Sequence, residues 1–140
     1  MANAAAERFQ PSSPNGVRVL DPFVDSLPLW LGLGEEGLRR KVFRVINRET
    51  VGSSHLVAGV TVFEPGEQCA PHNHPESEEF NVVLKGSGVA LDVTAGTEIP
   101  FKERDWIFIP KGHVHIHRNT GNEPLMLLWC YAPPGELPTR

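Results

Sequence analysis

Two stretches decide the reading: Gly66-Glu67-Gln68-Cys69-Ala70-Pro71-His72-Asn73-His74-Pro75-Glu76-Ser77-Glu78-Glu79 and Pro110-Lys111-Gly112-His113-Val114-His115-Ile116-His117-Arg118-Asn119. Five of the six histidines lie in them. In an extended chain, residues i and i+2 point to one face. His72 and His74 therefore converge if their segment is extended, and Pro71 and Pro75 bracket them in a way that favours extension. A carboxylate just beyond, Glu79 or its neighbour Glu78, can join them. In the second stretch His113, His115 and His117 share a face, with Val114 and Ile116 on the other. Any one histidine on a strand is more often a hydrogen-bonded core or surface residue than a ligand. The grouping, framed by Gly and Pro, is what points to a metal. Imidazole nitrogens with a carboxylate suit Fe, Mn, Ni, Cu or Zn, and no thiolate forces zinc.

Working outward, short runs rich in Val, Ile, Phe and Thr alternate with turn signals. Strands are expected over 41–47, 55–63, 79–85, 88–94, 105–109, 113–119 and 124–131. Between them stand Glu64-Pro65-Gly66, Lys85-Gly86-Ser87-Gly88, Ala95-Gly96, Pro110-Lys111-Gly112 and Thr120-Gly121-Asn122. Thirteen glycines and thirteen prolines spread this way imply many turns and an all-β sandwich or barrel. No segment carries a 3.6-residue apolar period and no repeat recurs, so one barrel is expected from the 140 residues. Residues 1–16 read as a mobile arm. Residues 17–37, with Pro22 and Pro28 around Leu27, Leu29, Trp30, Leu31 and Leu33, read as an irregular segment packed on the barrel or on a second subunit. The expected organisation is an N-terminal arm over 1–37, partly disordered, and a barrel domain over 38–140.

The net charge is -4 with no basic stripe, so nucleic acid is not an expected partner. The longest apolar run, Leu125–Ala132, is about a third of a membrane span, so no membrane partner is expected. Met1–Gln10 carries no basic region followed by an apolar segment, and a cytoplasmic location is the expectation. Cys69 and Cys130 fit no metal spacing and read as buried thiols in a reducing compartment.

The pattern Gly66-(five residues)-His72-x-His74-(four residues)-Glu79-(six residues)-Gly86 resembles the first motif of the cupin superfamily at every defined position. Pro110-x-Gly112-x-x-His115-(three residues)-Asn119 resembles the second. One departure stands out: the glycine expected six residues before Pro110 is Arg104, which should alter a turn. The resemblance covers roughly residues 41–133. It implies a single double-stranded β-helix, a jelly-roll barrel, with an irregular N-terminal arm. It also implies one divalent transition metal, iron slightly favoured, held by His72, His74, Glu79 and His115. Glu78 competes for the carboxylate position, but the spacing to Gly86 and the strand phase favour Glu79.

Such a set leaves one or two coordination positions open, as a catalytic site needs. Flanking His115, His117 is a candidate acid or base and His113 a candidate substrate contact at the rim. Asn81, on the face of Glu79, could orient a polar substrate or the ligand itself. Tyr131, the only tyrosine, is a second candidate base. Trp106, Phe108, Trp129 and Tyr131 otherwise read as core aromatics. Both faces of 125–131 are apolar, which together with the N-terminal segment suggests a homodimer. Three functions follow, in order. The first is a metal-dependent dioxygenase acting on a small chelating substrate. The second is a lyase, isomerase or decarboxylase using the metal as a Lewis acid. The third is a non-enzymatic small-ligand-binding barrel.

Overall fold

The structure, a computed structural model, describes residues 16–135. The expected mobile arm lies almost wholly outside that range. Nine strands are described: β1 (Leu27–Leu31), β2 (Arg40–Ile46), β3 (Val57–Phe63), β4 (Glu78–Lys85), β5 (Ser87–Asp92), β6 (Thr97–Lys102), β7 (Trp106–Ile109), β8 (His115–Asn119) and β9 (Leu125–Ala132). A single turn of helix, α1 (Arg48–Val51), follows β2. No helix among the described residues is long and apolar enough to cross a membrane.

Two antiparallel sheets face each other as a jelly roll. One runs β1-β2-β3-β9-β4-β7 and the other β6-β5-β8. The segment before β4 adds to the smaller sheet, because Gln68 bridges Arg118 and His72 bridges His115. Alternation settles what lies between the sheets. On β9, Leu125, Leu127, Trp129 and Tyr131 are buried. On β4, Glu79, Asn81 and Val83 point inward, while Phe80 and Leu84 stay partly exposed. The inward face of β4 is thus its more polar one. At one end of the sandwich Phe63, Val83, Phe101, Ile116, Leu125 and Leu127 form an apolar plug. Burial at about 25 cal/mol per Å² makes such a cluster the main stabilising element.

Four expectations need correction. Residues 27–31 are not irregular: β1 pairs antiparallel with β2, Leu31 opposite Arg40. Its proline, Pro28, is tolerated because β1 is an edge strand. Leu31 is buried and Leu29 packs with it on Val42 and Trp129, whereas Trp30 and Leu33 are exposed. β6, absent from the sequence reading, is also an edge strand, exposed except at Phe101. Its Pro100 and weak apolar alternation hid it. The expected strand from 113 begins at His115, and Cys130 is only half-buried while Cys69 is 1% exposed; both are free thiols.

Candidate metal centre

His72 reaches the site from the connecting segment and His115 from β8, and the pairing of their backbones puts them side by side. The His115 N–H donates to the His72 carbonyl at 2.9 Å, and the His72 N–H to the His115 carbonyl at 3.3 Å. Their rings are 4.3 Å apart, centroid to centroid. His74 lies two residues on, its ring 5.5 Å from that of His72. Glu79 enters from β4, opposite Tyr131 of β9 and Ile109 of β7. The structure therefore brings together His72, His74, His115 and Glu79. One nitrogen from each histidine lies within 4.8 Å of the others. Glu79 Oε1 is 3.0 Å from His74 Nε2, and Oε2 is 3.8 Å from His115 Nε2. Glu78 points outward and is exposed.

The rings are oriented from behind. His72 Nδ1 is 2.9 Å from the Ala70 carbonyl, and His115 Nδ1 is 2.9 Å from the His113 carbonyl. A carbonyl only accepts, so each Nδ1 carries the proton and each Nε2 presents a bare lone pair. His115 Nε2 is fully buried and has no hydrogen-bond partner among the described residues. A bare lone pair buried opposite a carboxylate is costly unless a cation lies between them. These residues fit a divalent ion.

Electrostatics agree. Burial, and then the neighbouring His115, hold His72 well below the usual imidazole range. Burial likewise lowers His115. Burial alone would raise the Glu79 carboxyl. The hydrogen bond with His74 and the nearby imidazoles outweigh it and hold the group below the ordinary range. His72 and His115 are thus held neutral and Glu79 charged, the states that ligate.

The other expected site residues separate into different roles. Asn81 Nδ2 donates to Glu79 Oε2 at 2.9 Å, and its Oδ1 lies 2.8 Å from His117 Nε2. The carboxylate can only accept, so Asn81 Oδ1 must accept too and His117 Nε2 carries a proton. Asn81 positions the carboxylate, and His117 braces Asn81. Burial, then the neighbouring His115, push His117 down to about 4, so it stays neutral.

Tyr131 does not fit the role of a base. Its O–H donates to the Gly135 carbonyl at 3.2 Å, and burial followed by the Glu79 charge raises its pKa, keeping the proton on. Its ring instead stacks on His74 at 4.4 Å and on Trp129 at 5.7 Å. His113 lies outside the cluster, its Nδ1 3.0 Å from Asp92 Oδ2 at the end of β5. Trp106 and Phe108 are exposed, not core.

A cavity of about 490 Å³, open mouth included, runs from His72, His74 and Glu79 into the barrel. Val42, Phe63, Leu127 and Trp129 make its walls apolar, and Arg40, Thr61 and Cys69 add polar atoms. Sequence reasoning missed Arg40 and Thr61. The available signal was phase, since Arg40 shares parity with Val42 at the head of an apolar run. Trp129 has room because Gly59 faces it: a Cβ there would meet the Phe43 carbonyl and lie 2.6 Å from the indole.

Comparison with known proteins agrees with the fold and the motifs. Residues 59–131 match the Cupin domain family. The polyketide synthase protein CurC of Streptomyces cyaneus is 33% identical over 91 residues, 64% of this chain and 57% of that protein. A gentisate 1,2-dioxygenase of Haloferax is 31% identical over 90 residues, 62% of this chain but 25% of the enzyme. The chain thus spans a little over half of the first relative and a quarter of the second. Among solved structures, a predicted oxalate decarboxylase from Thermotoga maritima superposes with a TM-score of 0.69 at 21% identity, covering 84% of this chain and all of that one.

Proposed function

The chain belongs to the cupin family, and from that premise we propose that it is a metal-dependent dioxygenase acting on a small, oxygen-rich, chelating substrate. The observation that carries this reading is the convergence of three bare or hydrogen-bonded imidazole nitrogens and one carboxylate on a cavity open to solvent. If iron, favoured over Mn, Ni, Cu or Zn, were held by these four residues, it would supply a redox centre, whereas zinc there could act only as a Lewis acid. The protein supplies the rest. The Ala70 and His113 carbonyls fix two rings, Asn81 fixes the carboxylate, and Tyr131 backs His74. Val42, Phe63, Leu127 and Trp129 line the interior with apolar surface, which strengthens charge interactions beside it. The relatives named gentisate 1,2-dioxygenase support redox chemistry on a small ring substrate.

The alternative, Lewis-acid lyase, isomerase or decarboxylase chemistry, needs a side-chain base. Tyr131 holds its proton, and His117 Nε2 is occupied with Asn81, so the geometry favours the dioxygenase. A passive binding barrel has no use for four oriented donors.

The test is elemental analysis of tag-free protein purified under low oxygen, followed by O₂-uptake assays with gentisate and other dihydroxybenzoates. Near-stoichiometric iron with substrate-dependent O₂ consumption is expected. Zinc, nickel or manganese, with no O₂ uptake after iron reconstitution, would move the chain to the Lewis-acid class. Failure to retain any metal would make it a binding module.

We also infer a homodimer built on the outer face of the larger sheet. There Trp106 is 72% exposed and Phe108 62%, and Phe80 stacks on Trp106 at 5.5 Å. With Leu84 they form an apolar surface at the β4–β7 edge, the kind that marks an association site.

A further inference from the structure

His117 is 5% exposed and lines the cavity beside His72, His74 and Glu79, yet it is not one of the three histidines whose nitrogens cluster. Its ring lies 5.5 Å from that of His115, centroid to centroid, on the side toward the apolar plug, where Phe101 meets it edge-on at 6.4 Å. One of its nitrogens is taken. Nε2 carries the proton and donates it to Asn81 Oδ1 at 2.8 Å, because the Asn81 amide must turn its Nδ2 to the Glu79 carboxylate. A neutral imidazole holds a single N–H, so Nδ1 is left as a bare lone pair, an acceptor only. No donor among the described residues reaches it. Thr61, 7% exposed on the other sheet, lines the same cavity, and its hydroxyl likewise has no hydrogen-bond partner among the described residues.

A charged Glu79 fixes Asn81, Asn81 fixes the tautomer of His117, and that tautomer offers the cavity an acceptor and not a donor. His72 and His115 have the opposite tautomer, with Nδ1 protonated. A buried acceptor beside apolar walls costs stability unless a donor answers it. We propose that His117 Nδ1 accepts a hydrogen bond from a substrate hydroxyl, so that the cavity selects chelating compounds carrying a further O–H beyond the pair of oxygens that meet the metal. The inference rests on the metal-centre reading for the chelating end only. With His117 a ring beyond His115, that hydroxyl belongs a few bonds from the chelating pair. No proton changes hands: His117 is a specificity determinant. A site built to hydrogen-bond a hydroxyl rejects the analogue that lacks it far more strongly than an apolar pocket rejects a missing methylene.

The experiment uses zinc-loaded protein, which is diamagnetic, with isotopically labelled histidine nitrogens read by NMR. The probes are 2-hydroxybenzoate, its 2,3-, 2,4-, 2,5- and 2,6-dihydroxy analogues, and the same analogues with the distal hydroxyl capped as a methoxy group. Without ligand, His117 should show a protonated Nε2 and an unprotonated Nδ1. At least one dihydroxybenzoate should bind about tenfold or more tightly than both 2-hydroxybenzoate and its own methoxy analogue. In that complex Nδ1 should resonate as a hydrogen-bonded nitrogen, and in the two comparison complexes as a bare one. His117→Phe should abolish the preference, taken as a ratio on zinc-loaded protein so that any loss of metal affinity cancels.

Equal affinities across the set would overturn the proposal, and so would a protonated Nδ1, an Nδ1 resonance that is the same in every complex, or a preference that survives His117→Phe. The wild-type spectra decide the matter if that variant does not fold. Should zinc fail to bind, the metal-centre reading fails separately. The same titration on metal-free protein then decides the role of His117. A hydrogen-bonded Nδ1 with a dihydroxybenzoate and not with its methoxy analogue supports it, and no ligand-dependent change overturns it.

Discussion

Glu79 is the residue on which the candidate centre turns, since it touches His74 on one oxygen and Asn81 on the other. Asn81 can satisfy it only because His117 satisfies Asn81 in turn. Two predictions follow at this scale. His115→Ala should cut metal content to a small fraction by elemental analysis, Asn81→Ala should weaken metal affinity by about 10- to 100-fold, and His55→Ala, on the exposed surface, should change neither. The second concerns pH. His117 titrates at 6.5 unfolded and is pushed down to about 4 when folded, so the unfolded chain binds the extra proton first. Its contribution is complete above pH 6.5 and is lost as pH falls toward 4, on the order of 3 kcal/mol. Urea midpoints of metal-free protein should fall across that window, and His117→Gln should flatten the fall. Much at this scale was legible. The i, i+2 rule and the spacing to Gly86 anticipate the convergence of His72, His74 and Glu79. The place of His113 was not legible, because Asp92 draws it away from a strand that begins later than its pattern suggests. Arg40 had only its parity with the buried Val42 to mark it.

At the scale of elements, Arg104 shows how a backbone requirement outlasts its usual residue. It stands where the second motif expects glycine, and it is the one non-glycine among the described residues with positive φ, at 79°. The turn keeps its hydrogen bonds, Arg104 N–H to the Val83 carbonyl at 2.9 Å and Asp105 N–H to the Lys102 carbonyl at 3.0 Å. The expected alteration of the turn therefore takes the form of an arginine held in the left-handed region. That conformation costs a side-chain-bearing residue about 1–2 kcal/mol, partly offset by the larger unfolded-state entropy of glycine. Arg104→Gly should accordingly raise stability by about 1 kcal/mol, read as a shift in the urea midpoint at unchanged slope. The central strands were legible because burial imposes alternation on them. The edge strands β1 and β6 were not, since one neighbour and partial exposure leave their sequences free to carry Pro28 and Pro100.

For the whole molecule, the proposed dimer would rest on the outer face of the larger sheet. Phe80 on β4 and Trp106 on β7 stack there, with Phe108 beside them. Sedimentation at micromolar concentration should give a dimer mass for the wild type and a monomer mass for the double substitution Trp106→Lys and Phe108→Lys. Both side chains are solvent-exposed in the single chain, so the variant should keep its fold. A monomeric wild type would refute the dimer. The jelly roll was legible as a class because turn-punctuated short strands leave few alternatives. Which face meets solvent was not, since both faces of β9 are apolar.

The donors at the candidate centre come from three separate pieces of the fold: Glu79 from the six-stranded sheet, His115 from the three-stranded one, and His72 and His74 from the segment between β3 and β4. An ion held by all three would rivet the sandwich shut. At a free concentration a thousand times its dissociation constant, it would add about 4 kcal/mol to the stability of the folded chain. Chains made while the metal is scarce would then open more often and fall first to proteases, so the cell's store of this protein would rise and fall with its metal supply without any dedicated sensor.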